Sequence, residues 1–173
     1  MSSIAPCPLP ASSLLARYRL QTGAYTDCYS TQFEGAVSQA EFVQAFYTTW
    51  VFKLERAVLR IAVHRPSTDA QATQLARGQL QAFAAWTVED RRDDQLLLCD
   101  MHGRTRSWLM TAPMESGGGT RLYFGSAVVP PEGSASASAP GIGGGYRFLL
   151  GFHKLYSRVL LKAAVARLRR RNG

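Results

Sequence analysis

His153 and Tyr156 stand three residues apart in a run that reads as helix, so both fall on one side of it. A neutral imidazole beside a phenol can orient a carbonyl group or pass a proton. The plainer reading is preferred: a helix turning its aromatic bodies inward with the polar tips satisfied. Arg106 with Trp108, and Arg121 with Tyr123, are each two apart in strand-like sequence and share a face. On a concave face such arginines clamp an acidic ligand group bidentately; on a convex face they are merely solvated. These six residues, Trp108, Arg106, Arg121, Tyr123, His153 and Tyr156, are the candidate ligand contacts. Cys99, Asp100 and His102 lie close in sequence, but adjacent strand residues point to opposite faces and His102 falls in a turn. A small buried cysteine is therefore expected there instead of an activated thiol. His64 reads as a helix-end residue. No spacing among Asp27, Glu55 and Asp100 marks an acid/base couple, and no catalytic residue is assigned.

The three cysteines, Cys7, Cys28 and Cys99, are odd in number and far apart in sequence. They indicate neither a disulfide framework nor a zinc-ligand spacing, so no metal or cofactor is expected and a reducing compartment is the simpler setting. The start of the chain carries Pro6, Pro8 and Pro10 and lacks the apolar run of a signal peptide, and no segment approaches a membrane span. Both point to the cytoplasm. The net charge of +8 is concentrated late, at Arg167, Arg169, Arg170 and Arg171. Such an end is drawn to phosphates, of an anionic membrane surface or of nucleic acid. It also complements a helix dipole, and without any nucleic-acid motif that partner is disfavoured.

These residues must be positioned by the elements around them. At 173 residues, 46% of them hydrophobic, the chain suits one domain with one core. Residues 1–24 read as an arm, a short helical turn or irregular chain, and 25–173 as the domain. Tyr25 to Phe33 has the aromatic and β-branched character of a first strand. Ser38 followed by Glu41 is a capping box, with Phe42, Ala45 and Phe46 on the inner face of the helix it opens. Thr48 and Thr49 mark a break before a second amphipathic stretch, with Val51, Leu54, Val58 and Ile61 at helical spacing. A third helix carries Ala72, Leu75, Ala76, Leu80 and Phe83 on one side. From Ala85 the period changes to two, giving strands near 85–90, 95–101, 104–112 and 120–129. A two-residue turn at His102-Gly103 pairs Cys99 with Arg106 and Leu97 with Trp108, leaving Leu96, Leu98 and Leu109 on the opposite face. Pro130 to Gly145 is a Pro-, Gly-, Ser- and Ala-rich loop, read as flexible chain ahead of a lid. The closing helix, Tyr146 to Arg170, carries a stripe of Phe148, Phe152, Leu155, Tyr156, Val159, Leu160 and Ala163.

This is an α+β order: strand, helices, antiparallel meander, long closing helix. It is similar to the START-like helix-grip (SRPBCC, polyketide cyclase-like) superfamily, which includes polyketide cyclases and plant pathogenesis-related allergens. The segments YTDCYS at Tyr25, AFYTTWVFKLER at Ala45, GRTRSWLM at Gly103, TRLYFGSAVV at Thr120 and HKLYSRVLL at His153 resemble a branch of it without an assigned function. The resemblance implies a curved sheet around the closing helix, with a cavity between them for a small hydrophobic ligand. A cyclase, dehydratase or hydrolase using a His/Tyr/Arg-lined pocket is the alternative, and an interaction module acting through the basic end is a third.

Overall fold

The computed structural model describes residues 3–53, 67–115, 117–130 and 143–172, with the side chains of 157–171 alone in the last stretch. The expected helix beyond residue 53, His64, the loop around 131–142 and the side chains of Phe148, Phe152, His153, Leu155 and Tyr156 lie outside it.

The local rules place the helices. Ser38 caps α1 (Gln39–Tyr47) by accepting from the Glu41 N–H, and the Glu41 side chain returns a bond to the Ser38 N–H, so two otherwise orphaned donors are satisfied. Thr48 ends the helix, and a helical run resumes at 50–53. Thr68 and Gln71 form the same box on α2 (Asp69–Ala76). The stripe expected to run on to Leu80 and Phe83 stops here, because Gly78 takes a left-handed φ of +75° and turns the chain out of the helix. Phe83 instead belongs to a two-residue strand, and it is buried.

Seven antiparallel strands form one sheet: β1 (Ala5–Pro6), β2 (Tyr25–Glu34), β3 (Ala82–Phe83), β4 (Trp86–Arg92), β5 (Gln95–Asp100), β6 (Thr105–Pro113) and β7 (Gly119–Val128), in the order β1-β2-β7-β6-β5-β4-β3. Two of them, β1 and β3, are too short to show any periodicity in sequence and go beyond the five expected. The β5–β6 register matches expectation, with Cys99 opposite Arg106 and Leu97 opposite Trp108. The connecting loop is held by Asp100, whose carboxylate accepts from the N–H groups of Arg104 and Thr105 at 2.7 and 3.0 Å.

The pleat sends Phe33, Leu96, Leu98, Leu109, Leu122 and Phe124 to one face, where they join α1, α2 and the closing helix α3 (Gly143–Asn172) in the main core. The inward residues of α3 are Leu160, Leu161, Ala164, Val165 and Leu168. Val159, expected inside, is on the outer side, since the buried set follows the three-and-four spacing that starts at Leu161. The other face is also covered. Leu14, Leu15 and Tyr18, in a 3-10 turn over Leu14–Tyr18, lie against Leu97, Trp108, Met110 and Ala127. The arm is therefore the second layer of the sheet.

Candidate functional site

Cys28, Gly125, Trp108 and Leu97 form one row across four strands on the arm-covered face. Gly125 leaves a dimple in that row. A Cβ there would come within 2.9 Å of Leu15, of Trp108 and of the Asp27 carbonyl oxygen, so its absence is what lets the arm seat. Trp108 is fully buried, and its Nε1–H donates to Oε1 of Gln95 at 3.0 Å. The same oxygen accepts from the Leu14 N–H at 2.8 Å, so one amide ties indole and arm together.

Arg106 lies further along this face. Its Nε–H donates to Glu89 at 2.9 Å and to the Tyr18 hydroxyl at 3.0 Å, and its guanidinium sits 4.7 Å from the centre of the Tyr18 ring. Tyr18 in turn donates to Glu89, and Arg17 pairs with Asp90. Burial, reinforced by the neighbouring Glu89 carboxylate, pushes the Tyr18 phenol up to about 12. Burial works against the Arg106 charge, but Glu89, with Tyr18 and Cys99, outweighs it and holds its pKa above the usual value. Tyr123 packs its ring 6.2 Å from Trp108, and Arg121 is exposed beyond it. Alternation pairs Arg106 with Trp108 and Arg121 with Tyr123, as expected, and the β6–β7 register adds that both pairs share one face. It is the face under the arm, not the face under the closing helix; Arg106 reaches the arm directly through Tyr18 and also donates to the Gly103 carbonyl, while Trp108 is tied to the arm through Gln95. His153 and Tyr156 are on α3, with side chains outside the described residues.

An open cleft of about 810 Å³ lies at the sheet edge, where the arm leaves β1 and runs beside the start of β2. Pro6, Pro8, Leu9, Tyr25 and Tyr29 wall it, Arg19 enters from the end of the arm's 3-10 turn, and Arg158 enters from α3. Asp27 lies on its floor. One carboxylate oxygen accepts from the Ser126 N–H at 3.1 Å and from the Ser126 hydroxyl at 2.5 Å; the other is buried with no partner among the described residues. Burial, with the Asp27 charge in support and Arg158 opposing, raises the Tyr29 pKa. Cys7 and Cys28 also line the cleft. None of its residues was selected from sequence, because β1 is invisible there and the cleft exists only where β1 meets β2.

Among the described residues, no three His, Cys, Asp or Glu side chains gather closely enough to hold a metal ion, and no helix is long and apolar enough to cross a membrane. At the basic end, Arg169, Arg170 and Arg171 are exposed on the last turn of α3, with Arg171 donating to Gln44 of α1 at 2.8 Å. The chain is an α+β protein with a seven-stranded antiparallel sheet and a C-terminal helix against it. No known family model matches it, and no curated protein matches its sequence significantly.

Proposed function

We propose that this chain is a helix-grip-like binding domain that holds a small hydrophobic molecule bearing one acidic group in the cleft between the arm and β2. The observation that carries this reading is the cleft itself, whose volume of about 810 Å³ falls within the usual range for small-molecule sites. Its proline, leucine and tyrosine walls suit an apolar body, and Arg19 and Arg158 suit a carboxylate or sulfonate at its end. This moves the ligand from the expected position between meander and closing helix, where the described half of α3 meets the sheet through Leu160, Leu161 and Ala164. A cytoplasmic setting belongs to the same reading.

Anilinonaphthalene sulfonate has this chemistry, an aromatic body with one anionic group, and serves as the probe. The expected result is saturable binding weakened about tenfold or more in the double variant Arg19→Ala/Arg158→Ala, the loss of about one charge-assisted contact. Native mass spectrometry of protein from its own host should show a co-purifying small molecule lost with the same variant. Unchanged probe affinity in a folded double variant would remove the cleft from consideration. The exposed arginines that close α3 favour a second reading, contact with an anionic membrane surface. Vesicles containing phosphatidylserine should then retain the protein and release it when Arg169, Arg170 and Arg171 become glutamine; equal retention of both forms would discard it.

A further inference from the structure

Cys7 follows β1 directly and faces Cys28 across the β1–β2 pair, with the Cys7 N–H donating to the Cys28 carbonyl at 3.0 Å. Their Sγ atoms are 3.2 Å apart and unbonded. A disulfide needs about 2.05 Å, so the sulfurs have little more than 1 Å to close, within reach of small side-chain rotations on two strands already in register. The two are unequal. Cys28 is buried, whereas Cys7 is partly exposed and opens on the cleft. We propose that Cys7 and Cys28 form a reversible thiol–disulfide switch, with Cys7 as the attacking thiol and Cys28 as the resolving one, which locks the N-terminal arm to the sheet when oxidised.

The surroundings favour that division of labour. The Cys28 hydrogen bond, joined by Ser30 and the charge of Arg121, outweighs burial and lowers the Cys7 thiol to about 7, while Cys28 is raised by its bond to Cys7, by burial and by Asp27. Arg19 and Arg158 are the other charged groups lining the cleft. An accessible thiolate beside a protonated partner is the arrangement of redox-sensing pairs. With a hydroperoxide as oxidant, the Cys7 thiolate attacks the terminal oxygen and breaks the O–O bond. This gives a sulfenic acid on Cys7 and releases an alcohol, or water from hydrogen peroxide. The Cys28 sulfur then attacks the Cys7 sulfur, forming the S–S bond, and the sulfenic oxygen leaves as water with the Cys28 proton. Two thiols are oxidised by two electrons and one peroxide bond is reduced. Cys99, on β5, takes no part. The switch stands apart from whatever the cleft holds, because neither sulfur needs a ligand to reach the other.

The test uses the full chain treated with hydrogen peroxide, then alkylated, digested without reductant and analysed by mass spectrometry. The expected product is a single peptide pair joined through Cys7 and Cys28, lighter by two hydrogens and restored to two thiols by a millimolar excess of reduced glutathione. Closing a loop of this length should raise the thermal midpoint by roughly 5–10 °C. In Cys28→Ala, dimedone should trap a sulfenic acid on Cys7, and the pH midpoint of Cys7 alkylation should move up from about 7; Cys99→Ser should change neither. Separate alkylation of Cys7 and Cys28 after oxidation, or a bond that joins Cys99 instead, would overturn the assignment. A Cys7–Cys28 bond that glutathione cannot reopen would make the pair a permanent staple and overturn the switch.

Discussion

Gln95 illustrates how much of this molecule depends on single polar atoms. It is almost fully buried; its Oε1 accepts from both Trp108 and the Leu14 N–H, and its Nε2 donates to the Ser12 carbonyl at 3.3 Å. Leucine would fill the space and leave two buried donors unpaired, each costing about 1–3 kcal/mol. Gln95→Leu should therefore lose about 2–6 kcal/mol in urea unfolding, with new tryptic cleavage at Arg17 and Arg19 as the arm lifts. A loss below about 1 kcal/mol would show that water takes over the amide's bonds. Tyr18 gives a pH-dependent counterpart. Its pKa is raised from 10 to about 12 in the folded chain, so the fold holds the phenol proton more tightly than the unfolded state does. The resulting stability is complete below pH 10 and is lost as pH rises through 12. Tyr18→Phe should flatten the fall in stability between those two values, read as unfolding midpoints at successive pH, and an unchanged slope would rule out the Tyr18–Glu89–Arg106 cluster as its source. Neither role was legible in the sequence, where Arg106 and Trp108 read as ligand contacts, because the partners that claim them lie far along the chain.

At the scale of elements, rules spanning a few residues were readable and longer ones were not. Both N-terminal helix starts depend on side chains three residues from the backbone they cap, so Ser38 with Glu41 was visible as a pattern. Ser38→Ala should cost about 1 kcal/mol, measured by chemical unfolding, and Ser38→Asp should retain most of it. The β5–β6 register was readable because its turn is local. The β3–β4 hairpin was not: Phe83 pairs with Trp86 around Ala84, which adopts a φ of +53° without being glycine. A Cβ in that region costs about 1 kcal/mol, so Ala84→Gly should stabilise the protein by roughly that amount in the same assay. Destabilisation would mean that the methyl group's contacts with the core outweigh its strain. The arm was the largest omission. Two leucines and a tyrosine in a segment that follows three prolines have no periodicity, yet one signal was present. The run Leu96-Leu97-Leu98 breaks the alternation of a half-solvated strand, and all three are fully buried, as a strand covered on both faces requires.

That double coverage sets the behaviour of the whole molecule. A sheet with helices on one side needs a second layer if the opposite face is apolar, and here a segment of about one turn supplies it over Leu97, Trp108, Met110 and Ala127. Burying Leu14, Leu15 and Tyr18 contributes roughly 1.5–3 kcal/mol each, an upper estimate because the unfolded chain already hides part of them. The sum, about 4.5–9 kcal/mol, is comparable with the entire stability of an ordinary domain. Deleting residues 1–20 should therefore abolish cooperative unfolding instead of merely lowering its midpoint. The three tryptophans provide the readout, since Trp50 is exposed, Trp86 intermediate and Trp108 fully buried under the arm. In the intact protein acrylamide should leave one fraction of the emission protected. In the truncated chain that fraction should vanish and the protein should associate through the bared face. If the truncated chain instead unfolds cooperatively with Trp108 still shielded, the helical layer alone sustains the sheet and the arm is a cover for the cleft. The proposed Cys7–Cys28 bond would then fix that cover over the cleft in addition to raising the thermal midpoint.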